Sequence, residues 1–504
     1  MLRKRFVAAL GVVALASVVT VAACSPASEP SSSGGGDQVL RYAPAMFPVS
    51  LDTHKYAGEE AVQTAIQQIM EPLVRVDGGK IVPVLATSWE NPDPNTWVFK
   101  LRPGVKFSDG TPFTAKDVVA SYQRHQKLDG PLVPLYSTVT SFAATDDQTI
   151  TVKTSKPLGT LLSSLTLLFI GPADEVNADG FFTKPIGTGP FTVSAFKPDE
   201  KLELAANPTY WDGAPKLGKL EFVNIPEVSG RITALQNGEV DVLTQIPPDQ
   251  VGSVKGSDSI TYATTPSWTY YFDWFNSNRE PFNDKRVRQA MWHALNLEGT
   301  VKDLFGELAT VAQAPVAQGV IGAPKLSPYS YDPAKAKQLL AAAGYPNGFT
   351  TSMQWPLEGG PNIRALAQAM ISDWAKIGIT VKPLEKERAQ WLEDFGKLNW
   401  DMNLQTNVTG TGDADYTLAR LYVCAAKRNG YCNPAVDKLL LDARSSVDQA
   451  ARPKLYQEAG QLLWDDAVGI FPADLASNSA IRSRVQGFVM PPSGRPLFAK
   501  VTVS

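Results

Sequence analysis

Apolar positions along the chain fall into short registers that switch between helical and strand spacing. From Gly58 to Leu73, the residues Val62, Ile66, Ile69 and Leu73 share one stripe at helical spacing. In "TWVFKLRPGVKFSDG", Trp97, Phe99 and Leu101 alternate with Val98, Lys100 and Arg102, which predicts a half-buried strand running into a turn at Asp109-Gly110. "TAKDVVASYQR" then starts a helix, with Thr114 as cap and Asp117 three positions on. "DPAKAKQLLAAAG" predicts another, with Asp332 as N-cap, Pro333 in the first turn and Gly344 past the end. A further helix from Asn362 to Ile377 buries Ile363, Leu366, Met370, Trp374 and Ile377, stops at Gly378, and is followed at once by the strand "ITVKPL". Helix, tight turn and strand in this order make an α/β arrangement, and no short internal repeat interrupts it.

The first residues follow a different pattern. Arg3, Lys4 and Arg5 precede an uncharged run from Phe6 to Ala23, and the small residues Ala22 and Ala23 lead into Cys24. This is the pattern of a secretion signal. A membrane-spanning anchor is the alternative, but the apolar core is short, broken by Gly11, Ser17 and Thr20, and has no basic residues beyond it. Val21-Ala22-Ala23-Cys24 resembles a bacterial lipobox, which implies cleavage after residue 23 and a diacylglycerol on Cys24. One acyl chain binds a bilayer only marginally, so durable anchoring takes the two or more chains that lipoprotein modification supplies. Ser25 to Gln38, rich in Ser, Gly and Pro, is then a tether of about 20 Å root-mean-square span. The later apolar stretch Leu158 to Gly171 is too short and too rich in Ser and Thr to span a membrane.

Charge narrows the partners. Of 47 basic and 50 acidic side chains, only Arg3, Lys4 and Arg5 fall within residues 1–23, so cleavage moves the formal net charge from −3 to about −6. An acidic body argues against a nucleic-acid partner. Roughly 480 remaining residues are too many for one core and predict two or three lobes. Cys424 and Cys432, in "CAAKRNGYC", read as a disulfide outside the cytoplasm; the rival, a metal site, lacks a nearby histidine and two thiolates do not fill a zinc shell.

Catalytic chemistry is hard to find. His54, His125 and His293 are far apart and fit no ligand spacing, and there is no G-x-S-x-G elbow, P-loop or GxGxxG. "GTGPF" at 187 to 191 lacks the following Lys-Ser/Thr, and Pro190 removes an amide, so it reads as a turn into a strand. The acid pairs Glu59-Glu60, Asp146-Asp147 and Asp465-Asp466 are adjacent in sequence and would point apart. Aromatics, by contrast, cluster in "SWTYYFDWFN" (267 to 276) and at Trp355. A core strand accounts for half of them; the other half suit a cleft that encloses an organic ligand.

Several long segments resemble the large extracellular solute-binding proteins of ABC importers, the group with dipeptide, oligopeptide, nickel and some oligosaccharide receptors. They are "IMEPLVRVDGGKIVPVLATSWE", "TWVFKLRPGVKFSDGTPFTAKDVVASYQR", "PIGTGPFTVSAF", "NPTYWDG", "FNDKRVRQAMWHALN", "YDPAKAKQLLAAAGYPNGF" and "DWAKIGITVK", in family order over nearly the whole chain after residue 23. The resemblance implies an α/β, two-lobed, periplasmic-binding-protein-like clamshell with an extra α/β domain inserted in the first lobe. Residues 37–57, 180–272 and 472–504 would form domain I, 58–179 domain II and 273–471 domain III, with the crossovers near Tyr271–Phe275 and Gly469–Ala473. A monomeric receptor without cofactor is implied. It would be lipid-anchored on the outer face of a bacterial cytoplasmic membrane and would pass a peptide-like compound, sugar or organic acid to a permease. A secreted hydrolase and an adhesive surface lipoprotein are the competing classes; neither has its expected signature in the residues.

The resemblance also points to binding residues. "SLDTHKYAG" is similar to the segment that pairs with an extended peptide, which implicates Tyr56, Ala57, Gly58 and Glu59. Tyr136 falls in the loop that supplies an aromatic wall, and Trp268 and Tyr270 in a strand that reaches the cleft. Trp355 is a cleft candidate from its position before Pro356, and Arg364 falls where dipeptide-type relatives carry an arginine that can hold a carboxylate. The family segment with a tryptophan and an ammonium-binding aspartate appears here as "QTNVTGTGDADYTL", with Asn407 and Gly410 at those places. Burying an ammonium without a countercharge costs several kcal/mol. So Asp413, Asp415 or Glu59 takes that role, or the ligand has no free α-amine.

Overall fold

Ile260–Phe275 is the longest strand among the described residues, rich in β-branched and aromatic residues, and it ties two lobes together. This computed structural model describes residues 38–504 apart from Ala57 and Pro131; the expected signal segment, Cys24, the expected tether up to residue 37, and Ala57 lie outside the described residues. The first half of the strand, Ile260 to Pro266, pairs antiparallel with Asp474–Arg482. A register shift follows between Pro266 and Tyr270, and the second half, Thr269 to Phe275, pairs with Met402–Val408. One shifted strand thus belongs to both lobes.

The described residues form a twelve-stranded mixed sheet around it. On one side lie Met402–Val408, Thr350–Pro356 and Thr380–Lys386, the last two parallel and joined by the helix Ile363–Ala375, a helical crossover. On the other lie Asp474–Arg482, Val242–Thr244, Val39–Ala43, Lys219–Val223, Lys201–Ala206 and Phe191–Lys197. A separate antiparallel sheet has the order Ala86–Asp93, Thr96–Leu101, Thr149–Thr154, Val139–Asp146.

Apolar packing follows these sheets. One cluster joins Trp274, Met291, Trp374, Leu418 and Leu463; a second joins Leu73, Phe99, Val118, Ile150 and Leu161 on the four-stranded sheet; a third joins Leu40, Ile66, Met70, Phe191 and Phe498. Ala65, Ile66, Ile69, Met70 and Val176 belong to the third cluster, with Leu40 rather than with Phe99. The architecture is α/β and two-lobed, with an extra layer carrying its own sheet.

Local signals hold where they are self-contained. Ala115–Lys127 is a helix with the Thr114/Asp117 capping box, and Thr96–Leu101 alternates as expected. Asp332 caps Pro333–Ala342, accepting a hydrogen bond from Lys335 N at 2.9 Å. Cys424 and Cys432 form a disulfide with Cα atoms 4.5 Å apart. The helix expected from Gly58 to Leu73 is shorter, Glu60–Ile66. Beyond it the chain turns away to pair with another segment: Gly189 N donates to Ile69 O and Phe191 N to Gln68 O, both at 2.9 Å. "GTGPF" is glycine-rich for this approach, because a Cβ at Gly187 would lie 2.0 Å from Ile69 O. No helix among the described residues is long and apolar enough to cross a membrane.

Candidate functional site

The jaws touch across the molecule. Gly159, beside Leu158 and Leu161 of the second cluster, donates its N–H to Arg444 O at 2.8 Å and accepts from Gln449 Nε2 at 2.8 Å. Val447 packs onto that cluster, and Leu132 and Leu167 pack against Tyr416. Nearer the crossover, Trp268 N donates to Pro492 O at 2.9 Å, and Arg495 Nη2 donates to Gly410 O at 3.1 Å.

Between these contacts lies a cavity of about 410 Å³. One wall comes from Gln67, Glu71, Thr166 and Phe169, a second from the C-terminal segment Gly487 to Lys500, and a third from Trp268 and Thr411. Trp268 is 4 % exposed, and its ring lies against Gly412, where a Cβ would be 2.6 Å from it. Arg495 also donates to Gln63 Oε1. Burial pulls its guanidinium below the ordinary arginine range, against the attraction of Glu60. Glu60 is itself pushed up to about 7 by burial, although Arg495 and a hydrogen bond from Gln245 oppose the shift. Glu71 is likewise pushed up to about 7 by burial, although Thr188, Tyr210 and Trp211 all donate to it at 2.7–2.8 Å. The site offers enclosure and fixed donors. Among the described residues no group of three or more His, Cys, Asp or Glu is placed to hold a metal.

The family model of bacterial extracellular solute-binding proteins, family 5 (middle region), matches residues 80–429. The chain belongs to this family. It is 30 % identical to the glutathione-binding protein GsiB of Pectobacterium atrosepticum, over 88 % of this chain and 90 % of that one. Among solved structures, HbpA2 from Haemophilus parasuis is similar at 28 % identity and TM-score 0.84, over 92 % of this chain and 100 % of that one. DppA from Helicobacter pylori in complex with peptide STSA is similar at 28 % identity and TM-score 0.77, covering 92 % and 98 %. As a family 5 solute-binding protein of ABC import systems, the chain is a receptor and not an enzyme.

Within this family 5 protein, the expected binding residues are distributed unevenly. Trp268 and Arg495 line the cavity, and Gly410, next to the lining residue Thr411, accepts from Arg495 Nη2. Asn407 pairs with Tyr270 across the sheet and is held by Arg420 Nη2 and Thr417 Oγ1, both at 3.1 Å. Gly58 and Glu59 are exposed and Tyr56 is half-buried on a segment that Arg124 anchors by two hydrogen bonds to Asp52, at 2.7 and 2.8 Å. Tyr136 is buried with Tyr122 and His125, its hydroxyl donating to Ser164 O at 2.9 Å. Tyr270 and Trp355 lie in the first cluster. The expectation that half of the aromatic run lines a cleft is corrected here: Tyr270, Tyr271, Phe272, Trp274 and Phe275 are all core, because that strand is central and covered on both faces.

Charged candidates are engaged. Arg364 is exposed and donates to both Glu385 oxygens, Nη2 to Oε2 at 2.6 Å. Asp413 is buried against Arg452, and Asp415 against Arg444. The sequence reading missed Arg495 and Gln63, which are 432 positions apart and meet only in the folded chain.

Proposed function

We propose that this receptor captures a peptide-like solute between its lobes and hands it unaltered to an ABC permease, as a monomer held outside the cytoplasm by lipid on Cys24. One observation carries the reading: the cavity of about 410 Å³ is lined by the first lobe and, through Thr411, by the second, so a ligand inside it touches both. That volume suits a small organic molecule, and sites of this kind enclose most of their ligand. Relatives whose names specify glutathione or a peptide support the same ligand class. Trp268, Gly410, Asn407 and the segment Tyr56 to Glu59 are the proposed contacts. With Asp413 and Asp415 paired internally, a solute without a free ammonium, including an opine-like acid, fits this wall better than one that needs an acidic partner.

Native mass spectrometry of protein purified without denaturation is expected to show a bound small solute. Thermal-shift screening of peptides, oligosaccharides and opine-like acids should raise the melting temperature for one class, since ligand at 100 times Kd stabilises by about 2.7 kcal/mol. No bound solute and no shift for any class would refute the receptor reading, and turnover to a new product would restore the hydrolase.

The anchor has its own test. In a bacterial host, the full chain is expected in the membrane fraction with the mass of a diacylglycerol on Cys24, and Cys24→Ser is expected to leave that fraction. A wild-type chain without lipid mass, cleaved elsewhere or uncleaved, would remove the anchor.

A further inference from the structure

His54 and His125, remote from each other in sequence, meet in the folded chain with ring centroids 6.2 Å apart. Both are buried, at 0 % and 1 % exposure. His54 belongs to the segment that leads to Tyr56, Gly58 and Glu59, and His125 lies in the last turn of the helix Ala115–Lys127. The pair also touches the cavity wall, because His54 Nε2 lies 2.8 Å from Phe169 O and Phe169 lines the cavity. A carbonyl only accepts, so Nε2 carries the proton of the neutral ring and Nδ1 is bare. No third His, Cys, Asp or Glu joins the two rings as a metal ligand among the described residues.

A second proton has no acceptor to point at. Imidazolium donates from both nitrogens, yet His54 Nδ1 and His125 Nδ1 are each buried without a hydrogen-bond partner among the described residues. The charges around the pair add to this. Asp52, the acid beside His54, is committed: it accepts from Arg124 at 2.7 and 2.8 Å and from the backbone N–H groups of His54 and Lys55 at 3.2 Å. Arg124 also covers the Phe182 ring, which packs on His54, and Lys55 turns to Tyr56. On the other side, Tyr136 packs on His125 with Tyr122 behind it, and its hydroxyl donates to Ser164 O. Burial holds both imidazoles down to about 4; at His54 the Phe169 carbonyl opposes this, Arg124 and His125 reinforce it, and Asp52 opposes it.

We propose that His54 and His125 form an acid-operated latch: protonation of the pair parts segment 51–56 from the helix Ala115–Lys127, withdraws His54 from Phe169 O, and so loosens the cavity wall. The latch is a property of the fold and holds for any solute; its use, release of the cargo in acid surroundings, rests on the receptor reading above. The direction follows from proton uptake. In the open form the rings titrate near their ordinary 6.5, so the open form binds more protons and opening grows as pH falls from 6.5 towards 4. Each ring then favours opening by about 30-fold more at about pH 5 than at about pH 7.5.

Hydrogen exchange on the full chain, washed free of solute and read by mass spectrometry, tests the latch, with rates corrected for the intrinsic effect of pH. Wild type is expected to open segments 51–56 and 166–171 about 30-fold or more often at about pH 5 than at about pH 7.5, while the helix Arg452–Asp465 changes little. In the double variant His54→Gln, His125→Phe that excess should vanish, since glutamine can donate to Phe169 O and phenylalanine can pack on Tyr136. Histidine-labelled NMR of wild type decides the matter even where the variant does not fold: His54 and His125 should stay neutral to below about pH 5. Either ring titrating near its ordinary value in the closed form would overturn the latch. So would equal exchange at the two pH values, or a rise shared equally by Arg452–Asp465, which would make it global acid unfolding. None of these outcomes bears on whether a solute is captured at neutral pH, so the receptor reading stands or falls separately.

Discussion

Gly159→Val is expected to fold and melt like the parent yet capture its solute about 100-fold more weakly, because a closed form populated at about 1 % divides the apparent affinity by that fraction. The reason is distance. A Cβ on Gly159 would lie 1.7 Å from Ser446 O and 2.6 Å from the carbonyl carbon, and both are backbone atoms that cannot turn aside. The same glycine makes two hydrogen bonds to the facing loop, through Arg444 O and Gln449 Nε2. Leu158 and Leu161 beside it keep their own core, so the ligand-free melting temperature should stay within about 2 °C of the parent. Small-angle scattering checks closure directly: the parent should contract when its solute is added, and the variant should not. Gly159→Ala, with the same Cβ and nothing beyond it, should lie between them. Parent-like affinity in Gly159→Val would show that the contact plays no part in capture.

Elements whose stop and start signals lie within a dozen residues were legible before folding. Thr114 and Asp117 specify a helix start, and Asp332, Pro333 and Gly344 bracket another, because each cap is a bond between near neighbours. The stretch from Gly58 to Leu73 was not, since helical spacing continues past Ile66 while Gln68 and Ile69 give their carbonyls to Phe191 and Gly189. A partner more than a hundred positions away overrode the local period. The aromatic run was legible as a strand but not as core, because alternation identifies one buried face and this strand has two. The site was the least legible. Trp268 and Gly410 could be placed from the resemblance, whereas Arg495 sits in a loop without periodicity and acquires meaning only through Gln63, Gly410 and the cavity.

Arg452→Met should destabilise the ligand-free protein by about 3–5 kcal/mol, the cost of leaving one partner of a buried ion pair uncompensated. Both side chains are 2 % exposed, and Arg452 uses every donor: Nη1 and Nη2 reach Asp413 at 2.7 and 2.8 Å, Nε reaches Ala443 O at 3.0 Å, and Gln449 Oε1 and Tyr456 OH take the rest. Burial acts against the charge, but Asp413 and its neighbours outweigh it and hold the guanidinium above its ordinary range. Methionine fills similar space and offers no proton, so Asp413 would keep only its bond from Asp415 N. Chemical denaturation of the single variants Arg452→Met and Asp413→Leu and of the double variant gives the decisive comparison. The double should be less destabilised than the sum of the singles, because removing both charges removes the penalty of an unpaired one. Singles that cost under about 1 kcal/mol, or that add, would refute a buried, coupled pair. The result also bears on capture, since Asp413 follows Gly412 and the platform under Trp268. An acid that holds the loop in place through Arg452 has no charge left for a ligand ammonium.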